Sequence, residues 1–298
     1  MVDDGEAPET QQGVPDAQAQ VMRPAQVLLG WLPEDRGLLV LNANRRDVEP
    51  TAAQRQRVEA ARAHVANRPE GVDQVELLND LPAELEEHVR QLRSGPAATM
   101  FADGWDVRLV DLARVCAFQP TVFVDSAAER TAGASLDDWA AVAEVTLPTQ
   151  WRNQLPSQFD EVHQQWLLVS RNPNLRVIGH FSGPVAGPGS PIGFGFFVAV
   201  TPSFVNVALY QGRYFLHDGY HRALGLLARG IRRVPVFVKE YAAIHDLVPE
   251  GMLPQEAFVG PRPPTLPDFL DEQVAARVEL PASQKMVIVH AMELRPIV

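Results

Sequence analysis

The stretch from Phe204 to Lys239 constrains this chain more than any other. Two short apolar, β-prone runs, Phe204–Tyr210 and Tyr214–Leu216, flank Gln211-Gly212, an X-Gly link that predicts a β-hairpin. An Asp-Gly step at 218–219 follows. From about Gly219 to Ala228 the composition turns helical, with Ala223, Leu224, Leu227 and Ala228 spaced to form a buried face. Gly230 suits the position after a helix end, and Val234, Val236 and Val238 alternate as a strand. Strand, tight turn, helix, glycine, strand describes a helix packed on a sheet, and it predicts an α+β protein.

The turn between hairpin and helix carries the chemistry. Asp218 is placed to cap the helix, its carboxylate accepting from free N–H groups of the first turn. Gly219 permits a sharp bend and close approach of a ligand. Unpaired N–H groups and the positive end of the helix dipole favour an anion there. His221 adds a donor, and Arg222 adds a guanidinium able to grip phosphate oxygens in pairs. Arg222, Arg229, Arg232, Arg233 and Lys239 form a local basic cluster in sequence, read either as a ligand surface or as a solvated helix end. The ordinary alternative for the turn itself is an Asp-capped helix whose His and Arg are solvated or paired with nearby acids.

The run Asp218-Gly219-Tyr220-His221-Arg222, then an Ala/Leu-rich helix and Gly230-x-x-x-Val234-Pro235-Val236-x-Val238, resembles the ParB/sulfiredoxin superfamily. More narrowly it resembles the ParB-like nuclease branch, whose pattern is Asp-Gly-His-His-Arg. The resemblance is strong over about residues 204–240. A weaker part at Val107–Leu112, with Gln119-Pro120 beyond it, looks like the family's opening strand. An insertion between the two parts is implied. In that family the turn holds nucleotide phosphates, so the resemblance assigns ligand binding to Gly219, Tyr220, His221 and Arg222. It also implies a nucleotide ligand (ATP, ADP or CTP) with Mg²⁺.

Departures from the family narrow the chemistry. Where sulfiredoxins carry a catalytic cysteine before the His-Arg pair, this chain has Tyr220, so disulfide-reductant chemistry is not expected. The single cysteine, Cys116, sits in the apolar run Val115–Phe118 and reads as a buried thiol. Partition proteins of the family use a Glu-Arg-Arg turn and a helix-turn-helix, and neither is found here. Kinase-like relatives need a carboxylate base near the phosphate. Asp218, Asp111 and Asp125 are candidates among which the sequence does not choose.

A net charge of −11 over 298 residues argues against general nucleic-acid affinity, which needs many cations to displace counterions. One cysteine excludes internal disulfides, and no apolar run reaches membrane-spanning length. Together with the lack of a signal peptide, these features predict a cytoplasmic protein without a membrane partner. His163 and His180 stand far apart, His217 and His221 are four apart but one ends a strand and the other opens a helix, no cysteine supports them, and no metal site is expected.

Four segments are expected: a disordered tail over 1–25, a mostly helical N-terminal extension over 26–100, a ParB/sulfiredoxin-like core over 101–245, and a Pro-rich C-terminal appendage over 246–298. In the extension, 27–41 reads as two short strands joined at Pro33–Arg36. Residues 51–67 form a surface helix with solvated Arg55, Arg57 and Arg62, and 81–93 form a second helix ending at Ser94-Gly95-Pro96. Within the core, Val107–Leu109 and Val122–Val124 read as strands, Ser135–Val145 and Phe159–Leu168 as helices, and Arg176–Phe181 as a strand. Ser182–Gly195 reads as a Gly/Pro loop, either a lid or a plain connector. Phe194–Val198 then reads as a buried strand. Finally, Phe269–Val278 is expected to be helical and Met286–Met292 a strand at a sheet edge or a protein contact.

The expected activity is binding of a phosphorylated small molecule or nucleotide at the turn. In its stronger form Asp218, His221 and Arg222 transfer or hydrolyse a phosphoryl group. The rival is a non-catalytic nucleotide-gated module that binds another protein. A nuclease or DNA-partition role fits least.

Overall fold

The computed structural model describes residues 21–74, 77–95, 97–150, 155, 157–170, 174–184, 189–201, 203–247, 251–282 and 285–290. The fold is α+β. The chain enters as strand β1 (Met22–Val27), a 3-10 turn at Leu29–Trp31 and helix α1 (Glu34–Leu41), not as the pair of strands expected over 27–41. A short apolar run looks alike in both periods. Here Gly37 lies against Val58 of helix α2 (Ala52–Ala66), a contact a helix allows. The expected tail therefore ends before Met22, while residues 1–20 lie outside the described ones. Thr51 and Gln54 cap α2 reciprocally. Strand β2 (Leu78–Asn79), helix α3 (Glu86–Ser94) and the short α4 (Ala98–Ala102) follow, with Leu85 and Leu92 buried as the helical spacing required.

Strand β3 (Asp106–Asp111) forms where Val107–Leu109 predicted one, and β4 (Thr121–Phe123) passes directly into helix α5 (Val124–Arg130). Helix α6 (Trp139–Thr146) starts later than expected, because Asp138, not Ser135, supplies the cap by accepting from the Ala141 amide. The expected helix over 159–168 is a hairpin instead: β5 (Ser157–Asp160) and β6 (Gln165–Ser170), paired Phe159 to Trp166. A second hairpin, β7 (Leu175–Pro184) and β8 (Ile192–Val200), occupies both ends of the supposed loop, whose tip at 185–188 lies outside the described residues. The strand expected at Phe194–Val198 forms within β8, but Phe194, Phe196 and Phe197 are exposed, so its expected burial is not found.

Over 204–240 the elements follow the order read from the residues: β9 (Asn206–Tyr210), β10 (Arg213–Asp218), helix α7 (Tyr220–Ala228) and β11 (Arg233–Glu240). Gln211 and Gly212 both take positive φ, 48° and 74°, the pairing a two-residue hairpin turn needs. Short helices α8 (Ile244–Leu247) and α9 (Gln255–Val259) and a 3-10 turn at Leu266–Leu270 lead to β12 (Ala276–Pro281) and β13 (Lys285–His290). The helix expected over 269–278 is thus a turn and a strand, whereas 285–290 does add an edge strand, on β6.

The main sheet has five strands in the order β10-β9-β11-β3-β2, mixed in direction: β9 runs parallel to β11, and the other pairings are antiparallel. A second sheet, β12-β1-β4, pairs the two ends of the chain along Met22–Val27 and Ala276–Pro281. Helix α7 packs against α5 and the 3-10 turn at Leu266–Leu270. One apolar core runs from Ala25 to Leu280 and takes in Phe118, Phe215, Phe258 and Phe269, joining extension, core and appendage. Arg57, expected in solvent, donates to the carbonyls of Glu272 and Ala275 and ties α2 to the same C-terminal segment.

Phe269 is fully buried and meets Tyr220 edge-to-face. Phe269→Ala should therefore cost about 3–5 kcal/mol of global stability. Urea unfolding should show a single transition moved to lower denaturant. A separate early transition for the C-terminal segment would contradict the shared core.

Candidate functional site

The 218–222 turn sits where β10 hands over to α7, and its shape follows from one crowded glycine. Gly219 has φ +94°, and a Cβ there would lie 2.8–2.9 Å from the Val205 side chain and Cα. Any L side chain would be both strained and obstructed. Gly219 itself is the cap residue, so the expectation that Asp218 caps α7 is corrected: its carboxylate lies one residue too early. Asp218 accepts from the Gly219 amide at 2.6 Å and from the Ser203 hydroxyl at 3.4 Å. The amides of Tyr220, His221 and Arg222, in the first turn of α7, have no partner within the helix.

Tyr220 and Arg222 turn inward. The Tyr220 hydroxyl accepts from the amides of Phe118 and Gln119 at 2.9 and 3.2 Å, and burial raises its phenol well above the ordinary range. The Arg222 guanidinium, on a residue only 6 % exposed, donates to the Ser203 carbonyl at 2.6 Å, the Ser203 hydroxyl at 2.7 Å and, weakly, the Val145 carbonyl at 3.4 Å. Burial lowers its pKa to about 10, which leaves it charged at neutral pH.

His221 lies parallel to the Phe123 ring, with centroids 6.3 Å apart. Burial, reinforced by the charges of Arg130, Arg23 and Arg222, pushes its pKa down to about 4. The imidazole is neutral near pH 7 and offers one N–H. Arg23 also lies over Phe123, 4.7 Å from the ring centre, while gripping Asp125 through two hydrogen bonds of 2.7 Å. Arg130, at the end of α5, is half-buried, with its pKa lowered by burial and raised in part by the Asp218 charge. His217 stacks on Tyr241 at 5.6 Å, and its pKa is likewise lowered by burial.

Four buried side-chain atoms lack a hydrogen-bond partner among the described residues: Asn206 Oδ1, His217 Nδ1, His221 Nε2 and Arg222 Nε. Two, on His221 and Arg222, belong to the turn; His217 precedes it on β10, and Asn206 faces Asp218 in the sheet ladder. Buried polar atoms are nearly always paired, so four around one turn call for an explanation.

The carboxylate candidates separate clearly. Asp218 and Asp125 both act on the turn electrostatically. Asp111 does not belong there: it pairs with Arg233 on β11, four residues from Phe237, which faces Asn206. At about 3.3 Å per strand residue that is roughly 13 Å away. Asp111 instead holds Arg232 at 2.8 Å and Arg114 at 3.8 Å, beside an open cleft of about 520 Å³.

The expected basic cluster is not one surface. Arg229 is bound to the Ala134 carbonyl, Lys239 to Asp103 and Arg232 to Asp111. Arg130, Arg23 and Phe123 carried no spacing signal, since they lie on α5, β1 and β4. Only the fold brings them to the turn. Cys116 is fully buried, as expected, and burial pushes its thiol up to about 12. Comparison with protein-family models, with characterised proteins and with solved structures finds no match.

Two outcomes follow. Gly219→Ala should cost roughly 1–3 kcal/mol from backbone strain alone, read as a lowered denaturation midpoint. For His221, the folded pKa of about 4 lies below the ordinary 6.5, so the unfolded chain holds more protons between those values. Stability should fall as the pH drops from 6.5 toward 4, by up to about 3 kcal/mol from this group. His221→Asn should flatten that slope in denaturation series at pH 7 and pH 5. An unchanged slope would show that the imidazole titrates normally.

Proposed function

We propose that the Asp218–Arg222 turn binds a phosphorylated ligand, of which a nucleotide is the form implied by the likeness to the ParB/sulfiredoxin superfamily. The observation that carries this reading is the pair of buried, unpartnered polar atoms in the first turn of α7, His221 Nε2 and Arg222 Nε, with the cation Arg130 beside His221. A phosphate supplies acceptors for the amides of Tyr220, His221 and Arg222 and for a neutral His221 N–H. Arg130 offers the compensating charge. Arg222 acts as a positioning residue, since its donors go mainly to Ser203.

Binding is better supported than turnover. At neutral pH His221 is already deprotonated and serves as a hydrogen-bond donor to the ligand rather than as a charged acid. Arg222 is turned toward Ser203 and away from a transferring group. Among the described residues no group of three or more His, Cys, Asp or Glu side chains could hold a metal ion. A Mg²⁺ that arrives with a nucleotide needs only one or two carboxylates beside the phosphates, of which Asp218 is the one at the turn, and no step is assigned to it. A ligand-gated, non-catalytic module is the reading these features favour. A nuclease or partition role gains no support from a net charge of −11. No helix among the described residues is long and apolar enough to cross a membrane.

A thermal-shift panel of ATP, ADP, CTP and GTP, with and without Mg²⁺, tests the reading. A ligand at 100 times its Kd should add about 2.7 kcal/mol, a shift of a few degrees. Arg130→Ala, which leaves the Ser203 network intact, should abolish the shift without lowering the unliganded melting temperature by more than a degree or two. Release of phosphate from labelled nucleotide would move the conclusion to an enzyme. A shift that survives Arg130→Ala would place the ligand elsewhere.

A further inference from the structure

The chain carries 37 acidic residues, yet none falls between Glu161 and Asp218. Most of the large exposed apolar side chains lie in this charge-poor insertion or on β13, which pairs with it. The β7–β8 ribbon is the extreme case. Ile192 is 80 % exposed, Phe194 64 %, Phe197 56 % and Phe196 50 %, and Val177, Ile178 and Phe181 are each about half exposed.

The ladder places these residues on both faces. Phe194 and Phe196, whose rings meet edge-to-face at 5.1 Å, stand on one side opposite Ser182 and His180. Phe197 and Phe181, 5.9 Å apart, stand on the other, opposite Gly179 and Gly195. Among the described residues each strand pairs only with the other, so both outer edges are open. Neither strand packs broadly on any other element.

Such a ribbon is marginal in water by itself, and open uncharged edges invite pairing. At roughly 200 Å² per phenylalanine and somewhat less per aliphatic side chain, the seven residues leave on the order of 700 Å² of apolar surface. Because the residues are divided between the two faces, each face carries a patch within the roughly 300–600 Å² of the largest patch on a typical monomer. Only the two faces together approach the ~800 Å² that each partner contributes to a stable protein interface.

We propose that the β7–β8 ribbon is the dimerisation surface of this protein, and that its occupant is the same ribbon of a second copy. Arg176 and His180 are the only charged or titratable side chains in the two strands, too few to recognise nucleic acid or an acidic or basic peptide. Two molecules of net charge −11 repel one another over most of their surface. The ribbon carries no carboxylate, so it is a place where two copies meet without that penalty. A second copy is also present whenever the chain is, as a ribbon unable to stand uncovered demands.

Sedimentation equilibrium of the full chain over about 0.1–100 µM tests the proposal. Wild type should approach twice the monomer mass of 32.8 kDa. Phe194→Asp/Phe196→Asp should weaken the dimer by about 100-fold or more, since buried aromatic anchors dominate interfaces. Circular dichroism should show that the helical core remains. A cysteine probe guards against a ribbon that merely unfolds. Cys116 is buried and inert, so Phe197→Cys gives one reactive thiol, and its maleimide labelling should slow at least tenfold as concentration rises through the dimer range. A monomer throughout the range, or labelling independent of concentration, would overturn the proposal. So would monomers that bind neutral phosphatidylcholine vesicles through the ribbon, which would assign the surface to a membrane. Neither measurement uses an anionic ligand, so a failure of the ribbon dimer is told apart from a failure of the anion site.

Discussion

A guanidinium removed from water is costly unless its donors are met, and much of the architecture around the turn follows from meeting those on Nη1 and Nη2 of Arg222. Its partners are the Ser203 carbonyl and hydroxyl and the Val145 carbonyl. The segment that carries Ser203 is clamped further along: the Val205 amide donates to Thr146, and the Val205 carbonyl accepts from Phe237. One strap thus joins the end of α6, the start of β9, the middle of β11 and the first turn of α7. Val205 then lies directly under Gly219, so the left-handed glycine and the buried arginine are two consequences of the same close packing.

On the opposite side Tyr220 does for the 118–120 segment what Arg222 does for the strap, by accepting the amides of Phe118 and Gln119. Within the five-residue motif, Gly219, Tyr220 and Arg222 are therefore occupied in holding the turn together. Asp218 is engaged as well, by the Gly219 amide and the Ser203 hydroxyl. That leaves His221 Nε2, with Arg222 Nε, as the buried polar side-chain atoms of the motif without a partner among the described residues.

That redistribution marks what the sequence makes legible. Local chemistry announces itself: the Gln211-Gly212 turn, the Thr51/Gln54 cap and the β-branched alternation of Val234–Val238 each encode their own conformation within a few residues. Tertiary choices do not. Leu38–Leu41 became helix, and Gln165–Ser170 became strand, because short apolar runs satisfy either period until a neighbour selects one. Arg130 and Arg23 were invisible as site residues for the same reason, being brought to the turn only by the packing of α5 on α7 and of β1 beside β4. Phe194–Phe197 shows the limit from the other side. A continuous apolar run specifies that a strand should be covered but not which molecule covers it.

The ribbon and the turn are also close along the chain. Strand β8 ends at Val200, and Thr201 is tied back to the Asn174 carbonyl through both its amide and its hydroxyl. Two residues further on stands Ser203, the principal partner of Arg222. In the dimer proposed above, covering the ribbon restrains the exit of β8 and, through Thr201, the entry of the strap that shapes the phosphate turn. Ordering the turn around a ligand restrains the same strap from its other end. Two sites that share one short segment draw on the same conformational entropy, so whichever is filled first lowers the ordering cost of the second. Such coupling is reciprocal by thermodynamic necessity. With the ligand and the dimer both as proposed, it supplies a physical route from an anion at α7 to a contact between two copies of the chain.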